Sequence, residues 1–360
     1  MGTVAALARR GHEVTLLMPQ GAQDASLTPA DLRVYFQVEG DFALVQRPSR
    51  WAGDALVRTL LWLRQVFSDA ELNGADLLYS RIPAMLGLGS LPPIPFATDH
   101  YRPWPDDLPV IRPLVRWTAR QSKCLGFIVH SAYAGRAYER VGVDPAKILV
   151  AHNGVESADR PPPQKDAART ALGLPQDRAT AVYAGRVNAK KGLDQLLALA
   201  DLRPDILFLL VGSEGDGPIE AEARSRINVQ IVPWQSPEAL PVWLAAADVL
   251  LVPTSRDPLE RYGNCVMSLK LFSYLAAGRP ILAPEAPDTA ELLRHRHNAL
   301  LVPPGDPAAG AAALDQILSE PDLARHLSER ARQAASDLTW DRRAEKIEAF
   351  IATRQSSHRL

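Results

Sequence analysis

What most restricts the fold of this sequence is an alternation, run through twice, of short strand-like apolar runs with helix-patterned segments. Val4, Ala5, Leu7 and Ala8 fall at helical spacing, and Gly11 supplies a stop before the β-branched, apolar run Val14–Leu17. The order continues as strand Leu77–Ser80, strand Ile94–Thr98, helix Leu114–Gln121, strand Leu125–Val129, helix Ala132–Arg140 and strand Ile148–Val150. Such alternation builds parallel sheets with helices on both faces. The stretch RPPPQKD, around Pro161–Lys165, then has the composition of an exposed linker.

Beyond the linker the pattern restarts. Strands are expected at Ala179–Ala184, Ile206–Val211, Val229–Val232, Val249–Val252 and Pro280–Ala283. Between and after them come helices at Leu193–Ala200, Pro218–Ser225, Pro237–Ala246, Leu269–Ala277 and Ala308–Leu318. A chain of 360 residues is long for one domain and sufficient for two, each with its own core. The division expected is 1–160, 161–337, and a C-terminal amphipathic segment, 338–360, that crosses back to brace the first domain. The fold class is therefore α/β, two doubly wound Rossmann-like domains facing across a cleft. Ligands in such sheets sit beyond the carboxyl ends of the strands, in the loops after Ala184, Val211, Val232 and Val252. The first domain starts on a helix, where a central strand and a glycine-rich turn normally come first. A truncated start is the expectation, because omitting a central strand leaves unpaired backbone on both neighbours.

Bulk properties remove several classes of function. The 40 basic and 41 acidic residues nearly cancel without blocks of like charge, which argues against a nucleic-acid partner. Cys124 and Cys265 stand far apart and outside any Cys/His spacing, so neither a disulfide framework nor a zinc site is expected, and a cytoplasmic location fits. The longest apolar runs are strand-length, far short of the roughly 20 residues that span a bilayer. The opening MGTVAALARRGHE does not read as a signal peptide.

Chemistry concentrates after the strand VYA. Gly185-Arg186 leaves it directly, and Lys191-Gly192 stands at the entrance of the next helix, so that a planar guanidinium and an ammonium are aimed at one spot beside a helix N-terminus. That set suits a diphosphate, and a surface turn with two solvated cations is the alternative. The segment VYAGRVNAKKGLDQLLALA resembles the donor-site signature of the family 4 glycosyltransferases, which have the two-domain GT-B fold. ILVAHNGVE, LLVGSEGDGP, LAAADVLLVPTS, KLFSYLAAGRPIL and AELLRHRHNALLVPPGD resemble further family segments in the family's order, most strongly from about Ile148 to Trp340.

The resemblance implies a nucleoside-diphosphate sugar as donor substrate and no cofactor. Arg186 and Lys191 would neutralise the leaving diphosphate without a metal ion. Gly185 belongs to the same turn, and backbone amides near Ser268 and Leu269, where the helix carrying Lys270 begins, would face the phosphates. Trp234 lies in the loop that passes the nucleobase in such enzymes, with stacking and plain packing both open. Glu291 matches a family carboxylate beyond the pocket or is a helix-face glutamate. One stretch departs from the pattern. Where family members commonly carry two glutamates, CVMSLKLFSYLAAG places Cys265 and Ser273; the second position serves the donor ribose, and a serine offers it one neutral partner. Asp257 and Glu260 upstream are substitutes or surface residues.

In the first domain, FATDHYRPWPDD puts His100 at a strand end, where resembling enzymes place a histidine near donor sugar and acceptor. A structural histidine is the alternative. Arg81 has the choice between an anionic acceptor and a surface ion pair. Arg112, Arg116, Arg120 and Lys123 recur at helical spacing beside Trp117, which is either a solvated face or a peripheral contact with the inner face of a membrane. The function expected is a retaining hexosyltransferase acting on a sugar, a lipid-linked sugar or a small molecule. The alternatives are a degenerate sugar-nucleotide-binding protein, kept open by Cys265 and Ser273, and a GT-B sugar-nucleotide epimerase, for which no acid/base set is evident.

Overall fold

A computed structural model describes residues 1–20, 26–48, 55–68, 74–87, 92–156, 162–253, 267–287 and 289–358. The chain forms two compact units, Met1–Asn153 with Trp340–Leu360, and Gly154–Thr339. The first division thus falls ahead of the proline-rich run, and the chain rejoins the first unit at Trp340.

Unit 1 carries strands β1 (Thr15–Gln20), β2 (Ala43–Pro48), β3 (Leu78–Ser80), β4 (Phe96–His100), β5 (Cys124–Val129) and β6 (Ile148–Val150). They pair in parallel as two sheets, β1-β2 and β3-β4-β5-β6. Successive residues of β4 and β5 point into different apolar cores: Phe96 and Phe127 join Tyr138 and Val115, while Ala97 and Ile128 face Ile347 and Ile351. Those last two residues belong to the C-terminal helix Trp340–His358. The helix is also tied to the opening helix Gly2–Arg9, through Arg9 to Asp341 (3.0 Å) and Arg10 to Glu348 (2.7 Å).

Unit 2 is a six-stranded parallel sheet. Its strands are β7 (Thr180–Ala184), β8 (Leu207–Ser213), β9 (Val229–Pro233), β10 (Val249–Leu251), β11 (Ile281–Pro284) and β12 (Leu300–Val302), in the spatial order β12-β11-β10-β7-β8-β9. Such sheets are covered on both faces, and the strand residues divide accordingly. Val182 and Ala184 pack with the helix Lys270–Ala277, whereas Ala181 and Tyr183 pack with the helix Leu193–Leu202. The order reverses beside β7, which is where a doubly wound sheet opens a crevice for a ligand.

The structure adds elements that periodicity did not give, among them β2, β12 and the helices Pro29–Phe36, Ala55–Val66 and Pro321–Ser336. No helix among the described residues is long and apolar enough to cross a membrane.

Candidate functional site

The crevice at the carboxyl end of β7 is built from backbone exceptions. Gly185 (φ 145°) leaves the strand, and Gly212 (φ 119°) lies so close beneath it that a β-carbon there would run into the Gly185 carbonyl. A β-carbon on Gly185 itself would stand 3.0 Å from the Tyr183 hydroxyl and 3.3 Å from Lys270 Nζ. The Tyr183 hydroxyl donates to the Arg186 carbonyl (3.0 Å) and so fixes the turn. Asn188 then caps a 3-10 turn, Ala189–Lys191, and Gly192 (φ 68°) starts the helix Leu193–Leu202.

Three cations belong to this crevice. The Arg186 side chain is 59% exposed, and its Nε pairs with Glu214 (3.1 Å), itself 51% exposed on the turn after β8. An exposed pair of this kind contributes little to stability and is readily exchanged for another anion. Lys191 is exposed. Lys270 is half-buried, with Nζ 3.8 Å from the centre of the Tyr183 ring. Burial, and then the charge of Lys191, push its pKa down to about 7. The helix that carries Lys270 is held in place by Tyr274, whose hydroxyl accepts from Ala184 N (2.7 Å) and donates to Leu251 O (3.2 Å).

The remaining candidates of unit 2 are placed as follows. Leu269 precedes the first turn of the helix Lys270–Ala277 and is exposed, with Ser268 half-buried before it. Ser273 is half-buried on that helix. Trp234 directly follows β9, is 51% exposed, and donates its backbone N–H to Ser213 O (2.8 Å). Glu291 ends a 3-10 turn, Thr289–Glu291, instead of lying on a helix face, and is half-buried. Asp257, Glu260 and Cys265 lie outside the described residues.

Unit 1 holds a different kind of cluster. Asp99 and His100 end β4, and His130 follows β5, its neighbour in the sheet. Asn153 Nδ2 donates to His130 Nδ1 (2.9 Å), which leaves the His130 Nε2 proton for Asp99 Oδ1 (2.6 Å). The other carboxylate oxygen accepts from Tyr79 (2.7 Å) and Arg343 (2.9 Å), with Arg81 at 3.6 Å. Burial acts to raise the Asp99 pKa, but the His130 hydrogen bond and the Arg343 charge outweigh it and hold the carboxyl well below its ordinary range. Arg343 comes from the C-terminal helix and also binds the carbonyls of Ala151 and His152. This network went unread in the sequence; its one local signal is a pair of polar residues at the ends of neighbouring strands, Asp99-His100 and His130-Ser131.

His100 is fully buried. Its Nδ1 accepts from the Tyr138 hydroxyl (2.6 Å), its ring stacks on Tyr138, and Nε2 has no partner among the described residues. Burial lowers its pKa to about 4, so the imidazole is neutral at pH 7. Arg81, with its 3.6 Å approach to Asp99, has a salt-bridged role.

The helix Arg112–Arg120 exposes Arg112, Arg116, Arg120 and Trp117. Lys123 is not part of a free stripe, since its ammonium binds the carbonyls of Pro92 (3.1 Å) and Pro93 (2.9 Å). Asp106, Arg112, Arg116, Arg140 and Val141 line a groove of about 400 Å³, in which Asp106 pairs with Arg140.

Two family descriptions match the sequence. Residues 2–159 match Glycosyltransferase Family 4, and residues 164–334 match Glycosyl transferases group 1. The chain belongs to family 4 of the glycosyltransferases. Among solved structures of the GT-B fold, the sucrose-phosphate synthase of Thermosynechococcus elongatus aligns with a TM-score of 0.76 at 21% identity, over 99% of this chain and 92% of that one. Anabaena HepE in complex with UDP and glucose aligns with a TM-score of 0.70 at 16% identity, over 95% and 100%. At these identities the two establish the GT-B fold alone. The D-inositol 3-phosphate glycosyltransferase of Streptomyces scabiei is 30% identical over 244 residues, 63% of this chain and 53% of that protein. The chain thus spans about half the length of the curated relatives it matches. Within the family 4 chain, Arg186, Lys191, Trp234, Lys270, Ser273 and Glu291 all fall in the group 1 segment and His100 in the family 4 segment.

Proposed function

We propose that this chain transfers a hexosyl unit from a nucleoside-diphosphate sugar to an acceptor hydroxyl with retention of configuration and without a metal ion. The observation that carries the reading is the crevice at β7, where Arg186 follows the Gly185 turn, Lys270 Nζ lies 3.3 Å from the β-carbon position of that glycine, and the charge of Lys191 reaches Lys270. A departing diphosphate develops negative charge at the sugar's anomeric carbon–oxygen bond as that bond breaks, and fixed cations lower that barrier directly. Arg186 gives up Glu214 for the phosphates, a charge-assisted exchange on an exposed rim. Amides at Ser268 and Leu269 add the positive end of a helix. Ser273 meets the ribose, Trp234 flanks the base and Glu291 the sugar. With phosphate and acceptor on one face of the sugar, the acceptor hydroxyl attacks from the side the phosphate leaves, which preserves configuration. In unit 1, the unsatisfied ring N–H of His100 is fully buried and reaches a sugar oxygen only if the end of β4 opens; being neutral, it then acts as a hydrogen-bond donor and not as a proton store.

The names of the relatives support a sugar nucleotide as donor and a hydroxylated small molecule as acceptor. A lipid-linked acceptor is the second reading, favoured by the arginine-lined groove of unit 1, which suits an anionic headgroup. Sedimentation with phosphatidylglycerol vesicles tests it, and equal recovery with neutral vesicles removes it. The main reading is tested by calorimetry with UDP and GDP, followed by turnover of the matching sugar nucleotide with NMR of the product anomer. Retained turnover in EDTA is expected. Binding of nucleotide with neither transfer nor hydrolysis in any acceptor pool would make the chain a sugar-nucleotide-binding protein, the outcome that the serine at position 273 favours.

A further inference from the structure

Lys270 is the least ordinary of the three cations. Arg186 has a carboxylate opposite it and Lys191 has solvent. Lys270 is half-buried: its Nζ lies over the face of Tyr183, and among the described residues no carboxylate pairs with it. Among the described residues, the groups shown beside it are uncharged or cationic. Tyr183 belongs to β7, Lys191 to the turn beyond, and Tyr274 stands one turn along its own helix with its hydroxyl spent on backbone groups. Glu214, on the turn after β8, is taken by Arg186. A cation–π contact alone does not offset an ammonium's removal from water beside a second cation.

We propose that Lys270 waits largely unprotonated on Tyr183 at mildly alkaline pH and takes up one proton from solvent when a donor diphosphate enters. This rests on the donor-site reading of the β7 crevice. The phosphates supply the missing counter-charge: a neutral amine becomes an ammonium that moves from the ring face to the diphosphate, gaining a charged hydrogen bond. The low proton affinity of the free amine, brought down to about 7 by burial and then by Lys191, agrees with the geometry. Lys270 is therefore a binding residue whose grip on the donor depends on pH, unlike Arg186, whose guanidinium stays charged throughout.

The experiment is calorimetric titration of the full chain with UDP at pH 8, in two buffers of different ionisation enthalpy, repeated from pH 7.5 to 9. The phosphate's second ionisation lies near 6 and does not interfere. The native protein should absorb nearly one proton per UDP, and its affinity should fall by about tenfold per pH unit above 7.5, as linkage to one proton requires. Lys270→Arg, charged throughout, should bind UDP with no proton uptake and a flat pH profile. Lys270→Met should also lose the uptake, with weaker binding at pH 7.5. No uptake in the native protein, or uptake undiminished in Lys270→Arg, overturns the inference and leaves the donor site standing. If instead Arg186→Ala and Lys191→Ala bind UDP as the native protein does, the donor-site reading fails and the inference with it.

Discussion

Two charged clusters, one in each unit, use similar residues to opposite ends. Asp99 and Arg343 are each 1% exposed and bind one another, and every Asp99 oxygen is satisfied. Arg186 is 59% exposed and holds a carboxylate that is itself 51% exposed. The first cluster joins residues that lie far apart in the chain, and its removal strands a charge in the interior. The second can be emptied without disturbing a packed residue. A buried, fully partnered set serves the fold, whereas an open, under-partnered set at a crevice is available to a ligand.

The sharpest way to break this comparison is to remove one partner in each place. Arg343→Met should destabilise unit 1 by about 3 to 5 kcal/mol, the usual penalty for an uncompensated buried charge, and most of the loss should return in the double variant with Asp99→Asn. Urea denaturation measures both. A loss below about 1 kcal/mol in the single variant would mean that the network is dispensable to the fold.

Acid separates the clusters next. His100 is neutral when folded, with a pKa of about 4 against an ordinary 6.5. Above 6.5 neither state is protonated and the group has no effect. Between 6.5 and 4 only the unfolded chain takes the proton, so stability falls, by about 3 kcal/mol for a shift of this size. Burial lowers the His130 pKa too and adds in the same direction. Asp99, held low when folded, adds stability above its ordinary 3.8 that is lost as pH falls below that value. His100→Gln should flatten the loss between pH 6.5 and 4 in melts followed by circular dichroism. An unchanged slope would relocate the acid sensitivity.

In unit 2 the same kind of substitution should act on the ligand and spare the fold. Arg186→Ala and Lys191→Ala should each weaken UDP binding by roughly 10- to 100-fold, the value of a charge-assisted hydrogen bond of about 1.5 to 3 kcal/mol, with the melting temperature unchanged. Unchanged affinity in both would empty the β7 crevice of its assigned role.

How far each cluster was legible follows from how local it is. Gly185, Arg186 and Lys191 sit within one strand–turn–helix passage, and both the alternation and the family likeness expose them; the strand ahead of them runs Thr180–Ala184 against an expected Ala179–Ala184. Asp99 meets Arg343 only after the chain has crossed to unit 2 and returned, and no periodicity reports a contact between residues so far apart. His100 was picked out for its position at a strand end, but its burial against Tyr138 depends on the packing of the helix Ala132–Arg140 onto the neighbouring strands β5 and β6. The strand β2, ALVQRP, was missed because only Ala43–Val45 is apolar before Gln46, Arg47 and Pro48, and among the described residues it pairs only with β1. The helix Pro321–Ser336 is mostly polar, and Leu327, Ala331 and Ala335 alone carry its buried stripe.

The smallest expected effect tests the register of the family likeness itself. Ser273 is half-buried on the helix Lys270–Ala277, among whose residues Leu271, Phe272, Tyr274, Leu275 and Ala277 are the buried ones, and among the described residues its hydroxyl takes no hydrogen-bond partner. Family 4 relatives commonly place a glutamate there against the donor ribose. A carboxylate accepts from both ribose hydroxyls, while a serine offers one short neutral partner, so Ser273→Glu should tighten UDP binding by about tenfold, the lower end of the charged hydrogen-bond range. The ribose is held alike in ground and transition states, so the donor KM should fall while kcat stays nearly constant. Ser273 is half-buried and outside the apolar core cluster of unit 2, so the melting temperature should hold within a few degrees. Binding of UDP that is unchanged in Ser273→Glu, in a protein that still melts normally, would show that this helix face does not meet the ribose and that the likeness is out of register here.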